Sequence, residues 1–343
     1  MNESLPPIYF YIPQSQWPVG KLPQSPGEYW QWMSFWGSRY GRGKYDWTLQ
    51  TYLYLKADGL PCQLIDFMPD EGIVVSHRDF LSDNLQPLPN LLIVCIKVDR
   101  EPHPYAQLQV VQNDRDPLFN RSPFLWHCHP LKFWLQPGLI PRDPSRGEIF
   151  EKAAFFGVAG TLAPQLQAPC WAEKLRGLGL NWEVVGCDRW HDYSKVDVIV
   201  AVRSFEAAQT FDSKPASKLI NAWHTGIPAV LGRESAYRSE RQSALDYIEV
   251  ASPEEAIAAV EMLRGDRNLR LAMIENGRIR AQETGNAQII SQWRNFLTNV
   301  AVPAYDRWCK SSIWQQQIFL TRRYLILKAN RLQSRMNQFV SEK

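Results

Sequence analysis

The sequence predicts a two-domain α/β protein in which each half is a parallel sheet flanked by helices. Three observations carry this. Short apolar runs alternate with helical segments in both halves, and a Pro-rich stretch separates the halves. Runs such as Leu91-Leu92-Ile93-Val94-Cys95-Ile96 are apolar without alternation, as strands covered on both faces are. The 343 residues, 45% apolar and 21% charged, suffice for two ordinary domains and fall short of three.

In chain order, residues 8–12 form the first strand candidate, and a long loop rich in Pro, Gly and Trp follows as far as Gly41-Arg42-Gly43. Residues 45–57 read as a helix closed by Asp58-Gly59, where a helix end needs a left-handed residue. Strand-type runs follow at 62–66, 72–76, 91–98, 108–112 and 124–127. Residues 130–146 hold Pro137, Gly138, Pro141 and Pro144 and suit neither regular helix nor central strand, so they read as a linker.

A strand at 153–158 then runs into a turn at Gly160, and 169–178 reads as helix. Strands at 182–186 and 196–202, a helix at 215–224 and a strand at 227–231 continue the alternation. Helical periodicity returns at 253–264 and 268–283. Two facing Rossmann-like domains are expected, residues 1–141 and 142–300. Beyond 286 the chain reads as helical, with one helix at 287–300 ended by Pro303 and another at 311–336. Residues 301–343 form the closing helical segment.

Ligands of open parallel sheets sit beyond the carboxyl ends of the strands. Arg203 directly follows the strand at 196–202 and is one cation so placed, though a surface ion pair suits it equally. The richest segment runs from Ser213 to Val230: Ser213 can cap, Pro215 suits a first helical turn and Gly226 ends the helix. The free N–H groups of that turn form an anion site, and Lys214 and Lys218 add full positive charges. Asn221 follows three residues later on a nearby face, within reach of a ribose hydroxyl. An amphipathic helix with solvated lysines explains the same residues without a ligand.

The run Lys214-Pro215-Ala216-Ser217-Lys218 through Gly226-Ile227-Pro228 resembles the donor-binding helix of GT-B glycosyltransferases. Residues 41–66 resemble that family's first glycine loop, helix and second strand, with Gly41 and Gly43 in the loop. Residues 153–160 resemble the strand and glycine turn that open its donor domain, bringing Gly157 and Gly160, and 268–280 resemble a late donor-domain helix. The resemblance implies a nucleotide-sugar donor, an acceptor hydroxyl, no metal, no cofactor, and C-terminal helices that cross back to the first domain. It departs at one point. Many retaining members carry two glutamates eight positions apart, where this chain has Ser213 and Asn221. Glu234, after the strand at 227–231, is the nearest acid that can serve the donor in their place.

The resemblance also places a polar catalytic residue at the cleft end of a first-domain strand. His77 follows the strand at 72–76, and Asp99 ends the neighbouring one, so both are candidate bases. Trp126-His127-Cys128-His129 offers adjacent ligands that point to opposite faces and do not close a tetrahedral site. Asp114-Arg115-Asp116 reads as a surface turn remote from the donor helix.

Six scattered cysteines without CxxC spacing argue for reduced thiols in a cytoplasmic protein, and no signal peptide or 18-residue apolar run is expected. The net charge of +3 hides an asymmetry: from Tyr305 onward eight basic residues face Asp306 and Glu342. Such a tail calls for an anionic neighbour, either the protein's own body or a membrane surface met by residues 311–336. Nucleic acid is not an expected partner. A nucleotide-sugar epimerase and a non-catalytic nucleotide-sugar binder remain open beside a transferase.

Overall fold

The computed structural model describes residues 5–18, 20–35, 42–121 and 123–341. The first sheet comprises β1 (Ile8–Tyr11), β2 (Cys62–Ile65), β3 (Glu71–His77), β4 (Asn90–Ile96), β5 (Leu108–Val111) and β6 (Cys128–Pro130). Its strands are parallel in the order β2-β1-β3-β4-β5-β6. The second comprises β7 (Lys152–Phe156), β8 (Asn181–Val185), β9 (Val198–Ala201), β10 (Ala229–Gly232) and β11 (Ile248–Val250). Its order is β11-β10-β9-β7-β8, again parallel. The central strands are buried along most of their length, which explains their unbroken apolar runs.

Helices α1 (Pro26–Phe35), α2 (Arg42–Tyr45), α3 (Thr51–Ala57), α4 (Pro117–Arg121) and α5 (Pro123–Trp126) belong to the first half. The second carries α6 (Pro164–Gln167), α7 (Pro169–Gly177), α8 (Ser217–Thr225), α9 (Ser235–Glu240), α10 (Pro253–Gly265) and α11 (Arg267–Glu283). The chain closes with α12 (Asn286–Phe296), α13 (Val302–Lys310) and α14 (Ile313–Ser341). Both sheets therefore carry helices in the manner of two Rossmann-like domains, as expected.

Four local expectations are corrected. The long loop after β1 contains α1, whose Tyr29 and Met33, one turn apart, enter the first core. Residues 124–127 are not a strand: α5 begins at Pro123, which suits a first helical position, and the strand is β6. Pro303 does not end a helix. A π turn at Leu297–Ala301 leads directly into α13, and Pro303 sits in the first turn of α13, so the chain stays helical through it.

The last correction is one of placement. Ile289, Trp293, Phe296 and Leu297 join Phe10, Trp47 and Leu49 in the core of the first domain, so the return crossing begins at α12 and not at residue 301. Helical periodicity shows that a face is apolar. It does not show which core receives it. Helix α14 also lies on the first domain, with Gln316, Leu320, Arg323 and Leu327 buried along one stripe. The Arg323 guanidinium donates to the carbonyls of Leu125 at 2.7 Å, Gln107 at 3.1 Å and Ala106.

Candidate functional site

The strand order reverses between β1 and β3 in one sheet and between β7 and β9 in the other. At such points the crossovers diverge to opposite faces and leave a crevice beyond the strand ends. A cavity of about 300 Å³ is lined from both halves. Gly43, Asp46, Phe133 and Trp134 come from the first half and the linker; Phe156, Gly157, Trp190, Tyr193, Lys218 and Asn221 come from the second. Phe156 and Tyr193 stack with centroids 3.8 Å apart, giving the cavity a flat aromatic wall.

Helix α8 aims its first turn at this cavity. It begins at Ser217, two residues later than the proline suggests, with Ala216 as an N-cap that offers no side-chain bond. Ser213 is not the cap, and its carbonyl accepts from the Gln112 side chain at 2.8 Å. The leading N–H groups are thus left for an anion. Leu219, Ile220, Ala222 and Trp223 anchor the helix in the second core, and Gly226 ends it with φ 68°, a left-handed cap that suits glycine.

Lys218 lines the cavity, and Arg203 and Lys214 lie near enough to act on its charge without lining it themselves. Arg203 is ion-paired with Glu234, which is buried, and Lys214 is ion-paired with Asp99 of the first domain. Lys218 is different. Its ammonium lies 5.3 Å from the Phe155 ring and, among the described residues, has neither a hydrogen-bond nor an ion-pair partner. Burial of the amine, with Arg203 and Lys214 adding repulsion, draws its pKa well below the ordinary lysine value. Gly157 makes the arrangement possible, since a Cβ there would meet the Phe155 ring at 2.7 Å and the Lys218 side chain at 3.4 Å. Asn221 is buried at the cavity wall, its amide 3.4 Å from the Tyr193 hydroxyl.

The other expected residues fare unequally. Gly41 lies outside the described residues, whereas Gly43 lines the cavity. Gly160 has open space where a Cβ would stand, so no close approach calls for a glycine there. His77 does end β3, but it is buried, and its Nδ1 accepts the backbone N–H of Asp79 at 3.1 Å. Burial, with Arg100 and Lys44 assisting and Asp79 and Asp99 opposing, lowers its pKa to about 4. The ring is neutral with its proton on Nε2, a donor and not a proton acceptor. Burial raises the Asp99 carboxyl, but the Lys214 hydrogen bond and charge, together with Arg100, outweigh it and hold the group below the usual range. Neither residue is among those that line the cavity.

Asp46 is the carboxylate that does line it, and sequence reading passed it over. It stands where α2 passes into a π turn at Asp46–Gln50, and it accepts the Tyr29 hydroxyl at 2.6 Å. Trp190, Tyr193 and Phe156 were also missed, because an aromatic that faces a cleft has the same sequence signature as one in a core. Residues 114–116 are not the remote surface turn that the sequence suggests: Asp116 is buried 2.8 Å from the Lys97 ammonium, and the neighbouring Asn113 donates to the Lys214 carbonyl at 3.1 Å. Among the described residues no cluster of His, Cys, Asp and Glu has metal-binding geometry.

Two parallel sheets with their switch points facing one cleft, and C-terminal helices returning to the first, define the GT-B fold. Solved structures share it. HepE from Anabaena in complex with UDP and glucose is similar at 11% identity and TM-score 0.52, over 86% of this chain and 100% of that one. An O-GlcNAc transferase from Thermobaculum terrenum is similar at 14% identity and TM-score 0.50, over 89% of this chain and 69% of that one. The chain thus has the architecture of GT-B glycosyltransferases. No protein-family profile and no curated protein matches it.

Proposed function

We propose that this protein is a glycosyltransferase that binds a nucleoside-diphosphate sugar in the interdomain cavity and transfers the sugar to an acceptor hydroxyl. The observation that carries this reading is the Lys218 ammonium, buried and without a counter-ion among the described residues, beside the uncapped start of α8. A diphosphate there would gain charge-assisted hydrogen bonds from Lys218 and the helix N–H groups, with Arg203 and Lys214 adding field. These groups stabilise the charge that develops on the leaving diphosphate, so the proposed reaction needs no metal. The Phe156–Tyr193 wall would hold a flat group, and Asn221 a hydroxyl.

Asp46 is the group proposed to take the acceptor proton, because it is the carboxylate on the first-domain side of the cavity. Asp99 would act as a clasp on Lys214.

Calorimetry with UDP, GDP, ADP and CMP forms tests the donor site. Lys218→Ala should weaken the nucleotide that binds by about 1.5–3 kcal/mol, the size of one charge-assisted hydrogen bond. Unchanged affinity would remove the placement. Turnover that dies in EDTA and returns with magnesium would overturn the metal-free scheme.

A further inference from the structure

The outward face of α14 is the strongest feature the transferase reading leaves unused. Gln316, Leu320, Arg323 and Leu327 point into the first domain. At 100° per residue the opposite direction falls on positions 314, 318, 325, 332 and 336, all within about 40° of one line. The residues there are Trp314, Ile318, Leu325, Leu332 and Met336, and each is more than half exposed, Trp314 at 81%. They form a continuous apolar stripe about 33 Å long.

The charges beside the stripe are of one sign. Residues 307–341 contain no Asp or Glu. Two of their cations are used on the body: Arg323 is buried, and Arg331 pairs with Asp83 and Glu101 at 2.9 and 2.8 Å. Arg322, Lys328 and Arg335 are exposed on the flanks of the stripe and have no anionic partner among the described residues.

We infer that this face docks on an anionic lipid surface, with α14 lying in the plane of the interface. An apolar stripe flanked by cations matches a bilayer, which accepts the stripe among acyl chains and the cations at phosphate level. Charge excludes the main competitor. A second copy of the helix would bring cations against cations with no acid to relieve them. The helix lies on the surface and does not cross it, since no described helix is long and apolar enough to span a bilayer. The inference is independent of the transferase reading.

Co-sedimentation of the full chain with two kinds of vesicle decides it: phosphatidylcholine alone, and phosphatidylcholine mixed with phosphatidylglycerol. Binding to the mixed vesicles at low salt, with release at high salt, is the expected result. The variant R322Q/K328Q/R335Q should bind about a hundredfold more weakly. I318Q/L325Q should lose binding while keeping the parent's melting temperature, because both side chains are exposed. Equal binding to neutral vesicles, or none to either kind, overturns the proposal. So does a dimer in lipid-free solution that I318Q/L325Q dissolves, for then a second copy covers the stripe.

Discussion

At the scale of single residues, protonation should link Lys218 to the proposed nucleotide. Its pKa is drawn down by burial and by two neighbouring cations, and a diphosphate would push it back up. Nucleotide binding should therefore take up a proton, and affinity should fall as pH rises through the free-enzyme value. Calorimetry in buffers of different ionisation heat reads this directly. Zero net proton uptake across the alkaline range would contradict it. The same reasoning applies to stability. His77 and His103 are both lowered to about 4 by burial, and both accept backbone N–H groups at Nδ1. Their unfolded values are higher, so each contributes stability that is present above pH 6.5 and lost as pH falls toward 4. Each accounts for about 3 kcal/mol at most. Denaturant unfolding between pH 7 and 4.5 should show the slope, and His103→Asn should flatten it.

At the scale of elements, the segments legible in the sequence were those with one local signal. Helix α8 announced itself through Pro215, two lysines and Gly226, and the β-strands through unbroken apolar runs. Helix α1 did not, because its Pro, Gly and Trp content resembles loop chemistry and its burial depends on a core formed elsewhere. The π turn at Leu297–Ala301 was illegible for a similar reason, since only tertiary packing tells whether Pro303 ends a helix or begins the next turn. Among site residues, Lys218 and Asn221 were readable from one helix, while Asp46 required knowing that a first-domain turn faces it across the cleft. Arg323 likewise passed for one surface cation among several, yet it is fully buried over the Phe319 and Trp126 rings. Burial lowers its pKa to about 9. Arg323→Ala should strand its three carbonyl acceptors, at about 1–3 kcal/mol for each one left unsatisfied. Faster proteolysis within α14 of that variant would show the helix released, and an unchanged cleavage pattern would show that the apolar contacts alone hold it.

At the scale of the whole molecule, the two domains are joined unequally on the two sides of the cleft. On the return side, Trp293 and Phe296 are buried in the first core, Arg294 pairs with Asp58 at 2.7 Å, and Asn286 donates to Tyr54 at 2.8 Å. On the cleft side the links are polar: Lys214 to Asp99, Lys132 to Glu240 at 2.7 Å, Gln112 to the Ser213 carbonyl, and Asn113 to the Lys214 carbonyl and Ser235. Asp99 and Lys214 are each about a third exposed, so solvent screening leaves their pair at no more than about 1 kcal/mol. A link of that size can break and re-form as substrate enters. Its carboxyl is held below the usual range, so the pair persists through neutral pH and fails only as pH falls into the acid range. Asp99→Asn should therefore open the free protein, seen as a larger radius of gyration by small-angle scattering, while saturating nucleotide closes it again. Donor KM should rise several-fold and kcat should change little. Asp46→Asn should do the reverse, lowering kcat by about two orders of magnitude with scattering and nucleotide affinity intact. If Asp99→Asn instead abolishes turnover without altering the scattering, the base is Asp99 after all, and the clasp has to release it before each transfer.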